Sequence, residues 1–581
     1  MSDASEHLAP HELAALAAQL GDHNDVMRGH PPGPNAITSG SPGLAPAALA
    51  PTGFAPTPPV DDVTAILRAI DGAGNPFGVS YVPLVDLSPS SLNAPFGSAP
   101  GVSGMPSMAG APSVSSAPRT PASPDFTIPT QFPFVHEPER ISLVTAHAPA
   151  EPPRTTGGEP AAQAPIDSPI RAGTAGAFDP YVVRRDFPIL EERVHNGKRL
   201  IWLDNGATTQ KPRTVIDRIS YFYEHENSNV HRAAHVLAAR ATDAYEGARE
   251  TTRKFLNAPS TSEIVFVRGA TEGINLIANT FGKRHVERGD EIIVTHLEHH
   301  ANIVPWQMLC REVGATLRVA PVDDRGDVIL EAYERLFCSR TKLVAFTQVS
   351  NAIGTVTPAA EMIAIAHRWG ATVVLDGAQA VSHMPVDVQA LDCDFYVFSG
   401  HKVFAPTGIG AVFGKQALLE AMPPWQGGGN MIADVTFEKT HYQPPPWKFE
   451  AGTGNIADVA GMGAALDYVM RIGMPTIERY EHSLLEYALG QLATVPGLQM
   501  IGNPRTRAGV MSFVLAGKRT EDVGHALDKD GIAVRSGHHC AQPILRRFGQ
   551  EGTVRASLAF YNVCEDIDAM VGTLKRLQAS A

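Results

Sequence analysis

Thr372 to Ala380 reads TVVLDGAQA. Its first four residues are β-branched or apolar, the fifth is a lone carboxylate, Asp376, and Gly377 follows at once. A short apolar run closed by glycine reads as a buried strand. Similar runs recur on either side. Ser262 to Arg268 (SEIVFVR), Glu291 to Thr295 (EIIVT) and Lys342 to Gln348 (KLVAFTQ) read as strands, and Phe395 to Phe398 is again apolar. Between them Ala270 to Phe281, His300 to Val313 and Ala359 to Trp369 read as helices. Strand and helix alternate from about Phe187 onward, which predicts an α/β fold with a mostly parallel sheet flanked by helices. After Gly461 a long helical region leads into a last alternating segment, Val510 to Leu574, expected to form a smaller α/β domain.

Upstream of this body the chain changes character. Residues 1 to 180 hold 30 of the 47 prolines, no lysine, six arginines and sixteen acidic residues, a net charge of −10 out of the total of −13. Such a segment buries too little apolar surface to offset its ordering entropy, and a disordered arm is expected over 1 to 180, with the folded part at 181 to 581. Short islands interrupt the arm. His11 to Leu20 and Asp61 to Gly72 carry apolar residues at helical spacing, while Gly78 to Leu87 and Phe126 to Val135 are apolar or aromatic runs broken by proline. They read either as docking motifs separated by flexible spacers or as chance features of a plain spacer.

Composition narrows the function classes. An acidic chain lacks the basic surface that nucleic acid requires, so no nucleic-acid partner is expected. No apolar run reaches the roughly 18 residues of a membrane span, and the first thirty residues are too acidic for a secretory signal, so a cytoplasmic location is expected. The five cysteines are odd in number and irregularly spaced, which indicates neither a disulfide framework nor a zinc site; no metal is expected.

Asp376 ends an apolar strand, where ligands of open α/β sheets collect. Some two dozen residues later Lys402 closes SGHK (Ser399 to Lys402), beside small and hydroxyl residues that can approach a phosphate. Together they suit pyridoxal 5′-phosphate: a lysine forms the Schiff base and an aspartate keeps the ring nitrogen protonated.

These motifs, with RGATEGIN (Arg268 to Asn275), EHHANIVPWQ (Glu298 to Gln307), RSGHHCAQP (Arg535 to Pro543) and RASLAFYN (Arg555 to Asn562), resemble the class V aminotransferase family. Within it the chain is similar to SUF-type, or group II, cysteine desulfurases and to the related selenocysteine lyases. The resemblance runs from about Phe187 to the C-terminus. It implies a fold-type I transferase with a large cofactor domain over about 200 to 460 and a small domain built from the remaining parts. It also implies that Lys402 bonds the cofactor, Asp376 holds the pyridine nitrogen, Gln379 bonds the phenolic oxygen and His299 stacks on the ring. Thr271, Ser399 and His401 would hold the phosphate. Thr453 would reach the phosphate site of a second subunit, so a homodimer is implied. Asn351 and Arg555 would bind the substrate carboxylate, and Cys540 would take the sulfur of L-cysteine as a persulfide, leaving L-alanine. Its lead, Gly537 to His539, reads as flexible and polar, and Arg535 as a group that favours the thiolate. Cys310, Cys338, Cys393 and Cys564 read as bystanders.

Two positions depart from the family pattern: Ala270, where a hydroxyl is common, and Gly206 in LDNGATTQKP, where alanine is usual. The arm departs further. It resembles the loading segment of desulfurases carried as cargo by family 2 encapsulins, which implies an encapsulin shell protein as partner through residues 1 to 180, beside a possible sulfur-acceptor protein. Other class V chemistries, such as a selenocysteine lyase, and a non-catalytic scaffold remain the alternative readings.

Overall fold

The apolar runs assemble into one seven-stranded sheet. In chain order its strands are β1 (Ile264–Val267), β2 (Glu291–Thr295), β3 (Thr316–Ala320), β4 (Thr341–Thr347), β5 (Thr372–Asp376), β6 (Phe395–Ser399) and β7 (Gly410–Gly414), in a computed structural model that describes residues 178–231 and 234–580. They lie in the order β1-β7-β6-β5-β4-β2-β3. Only β7 runs against its neighbours, so the sheet is mostly parallel, as the alternation predicts. Successive residues of an inner strand enter opposite core layers: in β5, Val373 and Leu375 pack on one side and Val374 on the other. Burial on both faces is why the inner strands read as continuous apolar runs.

A second, smaller sheet follows. It comprises β8 (Leu498–Met500), β9 (Val510–Leu515), β10 (Arg535–Gly537) and β11 (Thr553–Ser557), all antiparallel in the order β8-β9-β11-β10. Leu484, Leu485 and Leu492 from helix Met474–Leu492, and Ile567, Met570 and Leu574 from helix Cys564–Ala579, bury its inner face. Ile201–Trp202 pairs in parallel with Ile532–Ala533, which joins the start of the body to its end. Among the described residues no helix is long and apolar enough to cross a membrane.

Contacts with the folded body reach a little upstream of residue 181. Phe178 packs on Tyr480 with ring centroids 4.8 Å apart, and Pro180–Arg184 is a short helix capped by Asp179. Arg184 pairs with buried Asp566 at 3.0 Å, and Tyr181 donates to Glu565. Residues 178 to 180 therefore pack with the body and not with the arm, through the Phe178 ring and the Asp179 cap. The rest of the arm and all four islands lie outside the described residues.

Candidate active site

The strands of the large sheet that contribute to the site do so at their carboxyl ends. Asp376 ends β5, in register with Thr347 at the end of β4. Lys402 lies in the single turn Gly400–Lys402 after β6, and His299 in the loop after β2. Thr271 occupies the first turn of helix Ala270–Ile277, which follows β1. The small sheet closes the other side with Arg555 on β11, Arg535 on β10 and Cys540 in the turn after β10. Lys402, Asp376, Gln379, His299, Thr271, Ser399, His401, Asn351, Arg555 and Cys540 line one cavity of about 190 Å³. Thr453 does not: it is exposed and lines a separate hollow with Tyr245, Arg268 and Trp425.

Burial sets the protonation of the central groups. Desolvation pushes the Lys402 amine down to about 8, against the pull of Asp376. Asp376 is buried, which raises its pKa, while the N–H of Ala378 (2.9 Å from Oδ1) and the charge of Lys402 oppose the rise. His299 is driven down to about 3 by burial, and its Nδ1 accepts the N–H of Ala301 at 3.0 Å. A neutral imidazole with Nδ1 occupied as acceptor carries its proton on Nε2.

The phosphate end is built on a helix start. Gly269, at φ 153°, precedes helix Ala270–Ile277; a Cβ there would lie 2.9 Å from Ser399 Oγ, which accepts the N–H of Ala270 at 2.9 Å. Thr271, Ser399 and His401 also wall an adjoining hollow with Arg268 and Asn275. Burial holds His401 down to about 4. Hydroxyls and backbone N–H groups at a helix N-terminus are a phosphate-binding donor set. With an amine of lowered pKa and a buried carboxylate beside it, the residues present fit pyridoxal 5′-phosphate.

At the small-sheet side the contacts differ from the sequence expectation in detail. Arg555 Nη1 donates to the carbonyl of Asn351 (2.8 Å) and Nη2 to Asp204 Oδ1 (3.1 Å), while its Nε is buried without a partner. Asp204 also faces Arg535 at 3.4 Å. Two guanidiniums around one carboxylate leave a positive charge unmatched, which suits an incoming carboxylate. Asn351 turns its Nδ2 to the carbonyl of His539 (2.6 Å) and leaves Oδ1 unpartnered, and Gln379 donates to the carbonyl of Gly206 at 2.7 Å. The lead to Cys540 is secured rather than loose, since His539 is buried and bonds Thr553 at 2.7 Å. Gly206 has a local reason: a Cβ there would lie 3.2 Å from the Arg555 guanidinium.

Two charged residues at the site had no role in the sequence reading. Asp204 stands in LDNGATTQKP, and Glu298 immediately precedes His299. Glu298 is fully buried, with Thr295 Oγ1 and Asn302 Nδ2 each at 2.6 Å, and burial raises it to about 8. Only their adjacency to motif residues signalled them. Cys310 and Cys393 are buried, Cys338 is half-buried and Cys564 is exposed, all as free thiols away from the cavity.

The Aminotransferase class-V family profile matches residues 201–570. A cysteine desulfurase of Synechococcus elongatus is 64% identical over 410 residues, covering 71% of this chain and 65% of that protein. A cysteine desulfurase of Escherichia coli is 53% identical over 396 residues, 68% of this chain and 97% of the relative. Among solved structures, the Escherichia coli cysteine desulfurase CsdA in its S-sulfonic acid form is 40% identical and superposes with a TM-score of 0.65, covering 70% of this chain and all of the other. The chain thus spans slightly less than two thirds of the Synechococcus relative's length.

Proposed function

The chain belongs to the class V aminotransferase family, and from that membership and the cavity we propose that it is a pyridoxal-phosphate-dependent cysteine desulfurase of the SUF type. The observation that carries the reading is that Lys402, Asp376 and Cys540 line the same cavity. When bound, the cofactor supplies a carbonyl that condenses with amines and a ring that withdraws electrons. Lys402 would anchor it, and as an amine with a pKa lowered to about 8 it is basic enough near neutral pH to take the α-proton of L-cysteine. Asp376 would keep a proton on the ring nitrogen, Gln379 would bond the phenolic oxygen, and Thr271, Ser399 and His401 would hold the phosphate. His299, neutral with Nδ1 engaged, would stack on the ring and has a proton on Nε2 to offer. The substrate carboxylate enters between Asn351 and Arg555, where Arg555 has a free Nε. Cys540 thiolate then attacks the substrate sulfur. The S–S bond forms as the C–S bond breaks, the electron pair of the latter stays with the substrate carbon, and protonation there gives L-alanine.

A Cys540→Ala variant is expected to keep the visible absorbance of the cofactor yet form no alanine or sulfide from cysteine. Retained turnover would overturn the role of Cys540. The proposal extends to a homodimer in which Thr453 serves the other subunit's phosphate, to a sulfur-acceptor protein that takes the persulfide, and to the arm. Lysine-free and proline-rich, with four apolar islands, residues 1 to 180 are proposed to load the enzyme into an encapsulin shell in the cytoplasm. Coexpression with a shell protein tests this: the full chain should copurify with it, and the chain lacking the arm should not.

A further inference from the structure

Cys540 occupies a tight and unusual turn. The N–H of Ala541 closes it on the carbonyl of His538 at 2.9 Å, and both central residues, His539 (φ 53°) and Cys540 (φ 55°), have left-handed backbone. Asn and Gly are the usual occupants of such paired positions, and other side chains are strained there. The conformation persists only where the surroundings over-determine it. Two bonds from the large-sheet side fix carbonyls of the turn: His300 N–H donates to Cys540 at 2.8 Å and Asn351 Nδ2 to His539 at 2.6 Å. The N–H of Cys540 itself has a partner inside the turn. It donates to Nδ1 of His538 at 3.0 Å. The His538 ring is exposed and stacks on His300, with centroids 5.7 Å apart and planes 27° from parallel. No step of the proposed chemistry uses His538.

We infer that His538 is a positioning residue for sulfur transfer: its Nδ1 accepts the N–H of Cys540, and that bond holds the left-handed turn that keeps Sγ in the cavity wall. The inference rests on the desulfurase reading above. A side-chain acceptor for the N–H two residues on is what Asn and Asp provide in Asx turns. His299 does the same one loop away, accepting from Ala301. The role therefore belongs to an acceptor atom in the right place and not to an imidazole as such, which makes it separable by substitution.

The experiment compares the holoenzyme with His538→Ala and His538→Asn. Three quantities are read: the cysteine-induced change in cofactor absorbance, which precedes sulfur transfer; the rate at which Cys540 persulfide forms in the first turnover, by mass spectrometry; and the alkylation rate of the resting Cys540 thiol by iodoacetamide. In the alanine variant the absorbance change should keep its half-saturating cysteine concentration, persulfide formation should slow by about tenfold or more, and alkylation should quicken, because a misplaced nucleophile loses the reaction geometry. The asparagine variant should recover persulfide formation to within roughly threefold of the parent. An asparagine variant as slow as the alanine one, or an alanine variant as fast as the parent, overturns the inference. Absence of alanine from the parent enzyme would instead sink the desulfurase reading itself.

Discussion

Glu298 is a buried carboxyl whose hydrogen-bond partners, Thr295, Asn302 and Thr347, are all uncharged. Burial raises its pKa to about 8, with Asp376 nearby adding to the rise. The unfolded chain releases this proton near pH 4.3 and the folded chain holds it until about 8. Stability contributed by the neutral form is therefore complete below the unfolded pKa and is lost as pH rises through the folded one, by up to about 1.4 kcal/mol per unit. Glu298→Gln removes the titration. Whatever the substitution costs at low pH, its denaturation midpoint should vary less between pH 5 and 8 than that of the parent, and parallel pH profiles for the two proteins would contradict the assignment. At this scale the sequence disclosed residue types better than orientations. Lys402, Asp376 and Cys540 stand out by their motifs, but the amides of Asn351 and Gln379 point to the carbonyls of His539 and Gly206, 188 and 173 residues distant in the chain. Nothing local fixes such directions.

Elements were legible where both faces are buried. β4, β5 and β6 read as apolar runs because each lies inside the sheet, whereas β3 is an edge strand with Thr316, Arg318 and Val319 exposed, and its sequence, TLRVA, carries no such run. The helix expected over His300 to Val313 begins only at Val304, after the turn that follows His299, with Pro305 suited to its first positions. Beneath β1 lies a feature that periodicity hides. Arg249, on helix Val236–Leu256, is buried and forked onto Glu450 (2.7 and 2.9 Å), while Glu450 also accepts from Phe266 N–H and Tyr245. This carboxylate joins the helix, the strand and the segment leading to Thr453. Glu450→Ala would leave the guanidinium buried with only Glu246 opposite it, a loss of about 3 kcal/mol or more. The expected result is a clearly lowered Tm, with part of the loss recovered when Arg249→Met is added; a Tm within a degree of the parent would show that the network contributes little.

At the scale of the whole molecule, charge divides the chain more sharply than length does. The segment 1 to 180 carries −10 of the net −13, and residues 181 to 581 carry −3. Among the described residues, those lining the cavity all lie between Gly206 and Arg555. The boundary is nevertheless not arbitrary. Phe178 packs tilted against Tyr480 and edge-on to Phe560, Arg184 meets Asp566 in the interior, and Asp186 accepts from Tyr468 and from the N–H of Arg213. Asp566 is wholly buried and keeps only Arg199 as a cation if Arg184 is removed. Two truncations should therefore behave differently. A chain beginning at Phe178 should retain cofactor absorbance and give alanine from cysteine at a rate within about twofold of the full chain, since it keeps every described residue that lines the cavity. A chain beginning at Phe187 should lose roughly 2–4 kcal/mol of stability through the broken ion pair and the uncovered aromatic rings, read as a lower denaturation midpoint with the kcat of the surviving folded fraction unchanged. Equal stability of the two would mean that residues 178 to 186 only rest on the body, and a fall in kcat for the first would mean that the arm takes part in catalysis.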